Sequence, residues 1–549
     1  MNAQKDITGS TSAVPSVATQ TAVAIPGQPQ EQLEIEESGS SQDEVVYPTG
    51  AKLWLNVGSF MVVNFVRSID ITIVAVAVPS LTNEFKSIND IGWYNAAFMV
   101  TGSATILFFG KLYTLFSPKS LYLTSIVISW VGCLICTFAK TSKVFILGRA
   151  IAGLGNACQG AGLITLLNMM FPLAKQPKWY GMINFVGSAG LVSGPLVGGL
   201  LIEAFNWRAC FGINIPLNAI CLAIAAYSVQ NNINNPDTEL PIREKLKRLD
   251  LRGSLVFVPA LTFLLMGLTW GGAKYGWKDP RIIVLFVLSV VLLTLFAYLQ
   301  HRSGDEATVP PRIAMQRSIL AGALFCMCCD GTLAVTENYL SVYFQGIKGV
   351  SPAKSGLLGL PMIAGLMAAS LLYGWGTTYI GYYTPFMVAT SVLAPIGSGL
   401  LTTLDLDSQL GKAAGLMGLL GFGLGLGMQA PLTAVTATLR PKEVSIGGAI
   451  LGFGAGMGSA VFSSATAVLF QGRLRDEISR SAPGTNVTTI EHAGLSDIRR
   501  TIGPDRLKYV LVGYDKAVIQ TLYIPLGLTL LTILGTGLTE WRSIKKKQA

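Results

Sequence analysis

Long apolar runs constrain this chain more than any other feature, because fourteen of them recur along its 549 residues. In lipid every backbone polar group must be satisfied within the segment, so a run of about 20 apolar residues predicts a helix that crosses the bilayer. Only 13% of the residues are charged, whereas soluble domains carry roughly 25%. The sequence therefore predicts an all-α polytopic membrane protein. The predicted spans are approximately 53–79, 93–111, 120–139, 144–170, 181–202, 208–229, 253–272, 282–300, 318–340, 355–376, 384–403, 412–438, 446–470 and 517–539.

The basic residues between these runs indicate how the chain is oriented. An even number of spans places both termini on one side of the membrane. Lys and Arg are more frequent in the short loops that share that side, and such loops are typically cytosolic. We therefore expect both termini in the cytosol. The net charge of +10 lies largely in such short loops, so we expect a lipid bilayer and no nucleic acid as partner.

Cysteine and histidine usage argues against a metal centre. All eight cysteines lie in or beside apolar runs, and the two histidines, His301 and His492, are far from the cluster Cys326, Cys328 and Cys329. We expect these cysteines to be small buried side chains. With no nucleophile–base pattern, zinc spacing or nucleotide loop, we expect no bound metal, no cofactor and no enzyme activity.

The domain organisation follows from the spans and from the polar segments between them. The basic segment 231–252 between spans six and seven is a linker, which we interpret either as a hinge or membrane-surface segment or as a simple solvated loop. Asn486 begins an N-x-Thr glycosylation sequon in the long outer loop. The predicted divisions are a disordered cytoplasmic tail (1–50), a six-helix bundle (51–230), a basic cytoplasmic linker (231–252), two inserted helices (253–300), a second six-helix bundle (301–540) with an extracellular loop (471–516), and a cytoplasmic tail (541–549).

One apolar run carries a glycine–proline pattern. Glycines spaced by four present bare backbone along one helical face, where a second helix can approach closely. Proline removes a backbone donor, so we expect a bend there. Glycines 448, 452 and 456 form a similar ladder in span thirteen, which suggests that the chain repeats and that both ladders contribute to the contact between moving bundles. Ordinary helix packing is the alternative. The residues of the pattern are Gly181, Gly190, Gly194, Pro195, Gly198 and Gly199.

Charged residues within the spans are functional candidates, because charge in a membrane is costly. Arg67 and Asp70 lie three residues apart in the first span, where they either neutralise each other or serve transport. Arg149 lies near the start of the fourth span. Asp330 and Glu337 are seven residues apart in span nine, hence roughly on one face. All five are candidates for proton coupling or for lining a substrate cavity.

Three strings resemble motifs of a known family. The run Asp70–Pro79 is similar to the first-helix signature of the fourteen-span drug:proton antiporters of the major facilitator superfamily. Arg149, with Gly153 and Gly155, resembles the fourth-helix motif, whose arginine is linked to proton transfer. The glycine–proline pattern resembles the fifth-helix motif that marks exporters. This chain departs from the family pattern at three positions, which are Ala75, Ala152 and Thr114.

The resemblance implies a major facilitator fold of two six-helix bundles plus two inserted helices, similar to fungal toxin and multidrug exporters. We therefore expect a plasma-membrane transporter, acting as a monomer, that exports a small hydrophobic compound by alternating access in exchange for protons. Two alternatives stay open. One is import of a nutrient or siderophore on the same fold, and the other is a membrane sensor that transports nothing.

Overall fold

The computed structural model of the protein describes residues 49–87, 90–229, 236–272, 275–481 and 504–545. Within these ranges fourteen helices are long and apolar enough to cross a membrane, which confirms the predicted number. Three of the spans are built from two consecutive helical segments. The spans are α1 (Gly50–Phe85), α2 (Ile91–Leu115), α3 (Pro118–Thr137), α4 (Ser142–Met170), α5 (Gln176–Ala204), α6 (Trp207–Gly212 and Asn214–Ser228), α7 (Leu251–Trp270), α8 (Pro280–Ser303), α9 (Arg317–Val342), α10 (Pro352–Ile380), α11 (Thr384–Leu401), α12 (Leu410–Gly427 and Ala430–Thr438), α13 (Val444–Ser481) and α14 (Pro504–Thr521 and Tyr523–Leu538).

The packing of α1–α6, here called the first half, is repeated by α9–α14, the second half. In the first half α1 packs on α5 and α6, α2 on α4, and α3 on α4 and α6. In the second half α9 packs on α13 and α14, α10 on α12, and α11 on α12 and α14. Each helix therefore has the same neighbours as the helix eight spans earlier. Two parallel repeats of this kind are characteristic of facilitator-type transporters.

The two inserted helices form a hairpin beside the halves. α7 packs against α2 of the first half and α13 of the second half. Phe257 of α7 contacts Phe453 of α13, with ring centroids 5.6 Å apart. α8 packs on α7, and only 11% of its most apolar window is buried. A helix this apolar and this exposed is suited to face lipid.

Both ends of the described chain lie at the same end of the helix bundle, which we call the termini end. Trp54, at the start of α1, lies 6.0 Å from Trp179 at the start of α5. Lys178 in turn lies over the ring of Trp375 near the end of α10, at 4.9 Å. The backbone of Ile544 donates a hydrogen bond to the Gly381 carbonyl, just beyond α10. The two halves therefore meet close to both chain ends.

Two of the predicted divisions contain helical residues that the sequence analysis did not expect. Helix extends into both ends of the loop predicted over 471–516, because α13 continues to Ser481 and α14 begins at Pro504. Charged residues in those added turns misled the hydropathy argument, since a helix that leaves the bilayer no longer needs to be apolar. The linker predicted over 231–252 contains a short helix, Ile242–Arg248, and α7 starts at Leu251. Asn486 and nearly all of the 1–50 tail lie outside the described residues.

Candidate functional site

The centre of the candidate site is an ion pair inside the first half. Arg149 of α4 donates a hydrogen bond from Nη1 to Oδ2 of Asp70 on α1, at 2.8 Å. The Arg149 side chain is fully buried, and that of Asp70 is 8% exposed. Two of the predicted site residues, far apart in sequence, are thus in direct contact. Because both charges are out of water, removing either one would leave the other uncompensated.

Neighbouring groups hold the Arg149 guanidinium in place. Its Nε donates to the backbone carbonyl of Tyr94 at 3.1 Å. The guanidinium carbon lies 4.4 Å from the centre of the Phe98 ring, which is a favourable cation–π distance. Both residues belong to α2. The arginine therefore joins α2 and α4 to α1 in addition to carrying charge.

The two glycines of the fourth-helix motif bring the neighbouring helices close to Arg149. A Cβ atom at Gly153 would collide with Phe98 and Thr101 of α2. A Cβ atom at Gly155 would collide with Ser129 of α3. The motif therefore combines one charged side chain with two close helix contacts.

A fourth helix, α6, completes the site with an amide. Asn214, the first residue of the second segment of α6, donates from Nδ2 to Asp70 Oδ1 at 3.4 Å. Asn214 Oδ1 and Arg149 Nη2 are buried without a hydrogen-bond partner among the described residues. Buried polar atoms of this kind favour a bound water or a change of partners. The ion pair thus lies where α1, α4 and α6 meet.

Arg67 does not take Asp70 as its partner. Its Nη1 donates to Asn156 Oδ1 and its Nη2 to Asn64 Oδ1, each at 3.1 Å. Mutual neutralisation of Arg67 and Asp70 was one of the two readings that the sequence left open. The structure pairs Asp70 with Arg149 instead, and Arg67 keeps only neutral partners among the described residues.

Asp330 and Glu337 lie on α9, apart from this ion pair. Asp330 is partly buried and Glu337 is exposed. Within the described part of the chain, neither carboxylate has an ion-pair or hydrogen-bond partner. The Asp330 backbone carbonyl accepts a bond from Ser459 of α13 at 3.3 Å. The five charged candidates therefore divide into a first-half group of three and a second-half group of two.

The fifth-helix glycines serve two different contacts. Gly190, Gly194 and Gly198 face α1, where an added Cβ would meet Phe65 and Ser68, Thr72, and Ile73 respectively. These three lie within the first half, so the expectation that they form the contact between the halves is wrong. Only Gly181 faces the second half, where a Cβ would collide with the Ser370 carbonyl of α10. Gly199 has no atom within 4 Å of an added Cβ.

Pro195 and the first-helix signature are connected by a hydrogen bond. Proline lacks an N–H, so the carbonyl four residues earlier, that of Leu191, loses its helical partner. Thr72 of α1 donates its hydroxyl to this carbonyl at 3.1 Å. α5 continues through Pro195 from Gln176 to Ala204. The small surface of Gly194 lets the threonine approach closely enough to do this.

The ladder of α13 differs from that of α5. Gly448 faces Ile164 of α4, and Gly452 and Gly456 face Ile106 and Ser103 of α2. This ladder therefore does contact the opposite half, as expected. The two halves repeat the same order of helix contacts, but the glycines of α5 and α13 contact different helices.

Sequence reasoning missed the amides that surround the charges. Asn64, Asn156, Gln159, Asn214 and Asn218 all lie near Arg67 or Asp70. The available signal was the presence of carboxamides in otherwise apolar spans, where such side chains commonly hydrogen-bond between helices. Charge alone had drawn attention to the neighbouring residues.

The fold and the site together define a polytopic helical transporter built from two repeated halves. The sequence profile described as Major Facilitator Superfamily matches residues 60–463. The chain belongs to this superfamily, and its relatives place it with the fungal efflux pumps and transporters. It is a transporter rather than an enzyme.

Three relatives illustrate this placement. The efflux pump roqT of Penicillium rubens is 39% identical over 482 residues, covering 88% of this chain and 89% of the relative. The MFS-type transporter astH of Aspergillus oryzae is 36% identical and covers 95% and 92%. The efflux pump aflT of Aspergillus parasiticus is 36% identical and covers 91% and 98%.

Two solved structures show the same fold at low sequence identity. The human organic anion transporter MFSD10 is 10% identical, with a TM-score of 0.57, and the match covers 88% of this chain and all of the other. The proton:xylose symporter XylE is 11% identical, with a TM-score of 0.56 and coverage of 86% and 94%. At these identities the likeness concerns the fold alone.

Proposed function

We propose that the protein exports a small, largely apolar organic compound and that protons moving inward drive the export. Relatives named efflux pumps and the fifth-helix motif support the outward direction. The single observation that carries the proton coupling is the buried contact between Asp70 and Arg149, at 2.8 Å.

The coupling follows from the charge balance at this contact. A proton on Asp70 removes the negative charge, and Arg149 is then a buried cation without a counter-ion. That state is costly in a membrane interior, so helices α1, α4 and α6 are driven to rearrange. Release of the proton on the other side restores the pair. Protonation is thereby linked to a movement of the helices that hold it.

The energy available from this exchange is sufficient. One elementary charge moving through 100 mV supplies about 2.3 kcal/mol. At about 1.4 kcal/mol per tenfold change, this supports roughly a fiftyfold concentration ratio. One or two protons per cycle would therefore drive useful expulsion.

We place the termini end in the cytosol of a cell whose plasma membrane holds the protein. Basic residues concentrate at this end, including Lys111, Lys178, Arg248 and Lys442. Short cytosolic loops typically carry such an excess. With this orientation the outward step moves cargo away from the termini end.

The test is transport into inside-out vesicles under an imposed proton gradient. We expect the wild-type protein to accumulate an apolar toxin when the vesicle lumen is acidic, and an uncoupler to abolish this accumulation. Asp70→Asn should remove the proton dependence. Asp476→Asn, which changes an exposed carboxylate on α13, should leave it intact.

Each part of the proposal has its own contrary result. Full proton dependence in Asp70→Asn would contradict the coupling. Uptake into whole cells, without accumulation in inside-out vesicles, would show import instead of export.

A further inference from the structure

Arg67 lies between two adjoining cavities within the first half. Both cavities are lined by Val63, Arg67 and Gln159. In this conformation each cavity has a volume of about 20 Å³, enough for a water molecule, so a larger ligand enters only when the surrounding helices move apart. Arg67 thus borders a polar cavity, which the Asp70 carboxylate and several carboxamides also line, and a more apolar one.

The charges around these cavities do not balance. Asp70 is already paired with Arg149 and also accepts a bond from Asn214. Arg67 donates only to the amide oxygens of Asn64 and Asn156. Two cations therefore face one carboxylate, and the excess positive charge lies on Arg67. A charge in a membrane interior without a counter-ion is costly, which favours a negatively charged ligand.

Arg67 is held in position by two of its hydrogen bonds and has further N–H donors. Asn64 donates to the Ile183 carbonyl at 2.9 Å, which fixes the amide that accepts from Arg67. Two of the five guanidinium N–H groups bond to Asn64 and Asn156. The remaining donors suit a carboxylate or another oxyanion, which a guanidinium binds in a planar, two-point manner.

The walls next to Arg67 are suited to an apolar body. Phe60, Tyr122 and Leu163 line the second cavity, which is the more apolar of the two, whereas the first cavity offers mainly polar groups beside Val66 and Phe98. A pocket of this kind combines apolar area with a few polar groups that orient the ligand.

We propose that Arg67 binds the anionic group of the cargo, and that the cargo is an apolar organic acid carried as its anion. This assignment rests on the proposed export function and narrows its substrate class. A competing explanation is that Arg67 forms an ion pair with Asp330 or Glu337 of the second half in another conformation of the protein. The two amides that hold Arg67 on α1 and α4 favour binding within its own half.

The experiment measures binding directly, with no gradient. The full chain is placed in nanodiscs of phosphatidylcholine, so that no anionic lipid competes for the site. A dansyl-labelled medium-chain fatty acid and its methyl ester are titrated at neutral pH, with empty nanodiscs as the blank. The variants are Arg67→Gln, Arg67→Lys and Arg252→Gln, the last removing the charge of an exposed arginine at the start of α7.

We expect the wild-type protein to bind the acid more tightly than the ester. Arg67→Gln should weaken acid binding roughly tenfold, as expected for a lost charge-assisted contact, and leave ester binding unchanged. Arg67→Lys should give an intermediate result, and Arg252→Gln should behave as wild type.

Two results would overturn the inference. One is equal binding of acid and ester by the wild-type protein. The other is an equal loss of both ligands in Arg67→Gln, which is the behaviour expected of an ion pair between the halves. Acid selectivity without any export in vesicles would instead overturn the proposed function and leave the binding site intact.

Discussion

At the scale of single residues, the three charged candidates of the first half have two kinds of partner, because Asp70 and Arg149 pair with each other and Arg67 bonds to neutral amides. Sequence spacing placed Arg67 and Asp70 on one helical face and left open whether they neutralise each other or serve transport. In the structure Asp70 forms an ion pair with Arg149 at 2.8 Å, and Arg67 donates hydrogen bonds to two amides. Spacing along one helix could not decide this, because the competing partner comes from α4.

We predict that the Asp70–Arg149 pair shows strong energetic coupling. Either Asp70→Asn or Arg149→Gln alone leaves a buried charge without its partner, which costs about 3–5 kcal/mol. The double variant removes both charges, so its loss of stability should be well below the sum of the two. Thermal unfolding of the purified variants measures this difference.

The exposed pair Arg208–Glu84 provides the control. Its side chains are 32% and 43% exposed, so its coupling should be about 1 kcal/mol at most. Additive losses at Asp70 and Arg149, equal to those of the control pair, would show that the buried charges do not depend on each other.

At the scale of helices, the pairing of α1 with α5 shows why two separate motifs belong together. Pro195 frees the Leu191 carbonyl, Gly194 opens the surface beside it, and Thr72 supplies the hydroxyl. The sequence predicted a close helix contact at the glycines of α5, and this is confirmed at Gly190, Gly194 and Gly198. It did not predict that the contacting helix is α1, because glycine spacing indicates which face of α5 is closely packed but not which helix lies against that face.

We predict that the contribution of Thr72 depends on Pro195. Thr72→Val keeps the shape but leaves the Leu191 carbonyl unsatisfied, which should cost about 1 kcal/mol of stability. In a Pro195→Ala background the backbone N–H of residue 195 is restored and satisfies that carbonyl. The cost of Thr72→Val should then nearly vanish in thermal unfolding.

Thr294→Val is the matched control. Thr294 is exposed on α8 and bonds only within its own helix, to the Val290 carbonyl. Its effect should be small and independent of Pro195. An unchanged cost of Thr72→Val in the Pro195→Ala background would refute the assigned role.

At the scale of the whole molecule, the halves meet where α5 packs on α10 and where α13 packs on α2 and α4, and the α5–α10 pairing includes close contacts at the termini end. Gly181 of α5 and Gly374 of α10 face each other's helices, and a Cβ at Gly374 would lie 2.8 Å from the Pro177 carbonyl. Lys442 and Asp237 add an exposed ion pair at 3.7 Å between the linker and the second half. Glycine at both positions allows the halves to close without overlap.

We predict that Gly181→Leu shifts the protein toward a state in which the halves separate at this end. Overpacking a close contact costs about 1–3 kcal/mol, enough to change the ratio of two states roughly fivefold or more. Double electron–electron resonance between spin labels at the exposed positions Lys175 and Tyr379 should show a larger population of long label-to-label distances.

Gly199→Leu is the control, because an added Cβ there has no atom within 4 Å. Its distance distribution should match that of the wild type. Identical distributions for Gly181→Leu and Gly199→Leu would show that Gly181 does not limit the approach of the halves.

The sequence by itself determined the fourteen spans, their order and the family, because hydropathy and motif spacing are local properties that each segment carries alone. It also located Asp70, Arg149 and the two glycine ladders as important. Only the tertiary structure decided which partners they have, namely Arg149 for Asp70, amides for Arg67 and Thr72 for the carbonyl freed by Pro195. These choices depend on how each helix is rotated about its axis. In a membrane that rotation is set by close packing between helices, since lipid contacts an apolar face as readily as a neighbouring helix does.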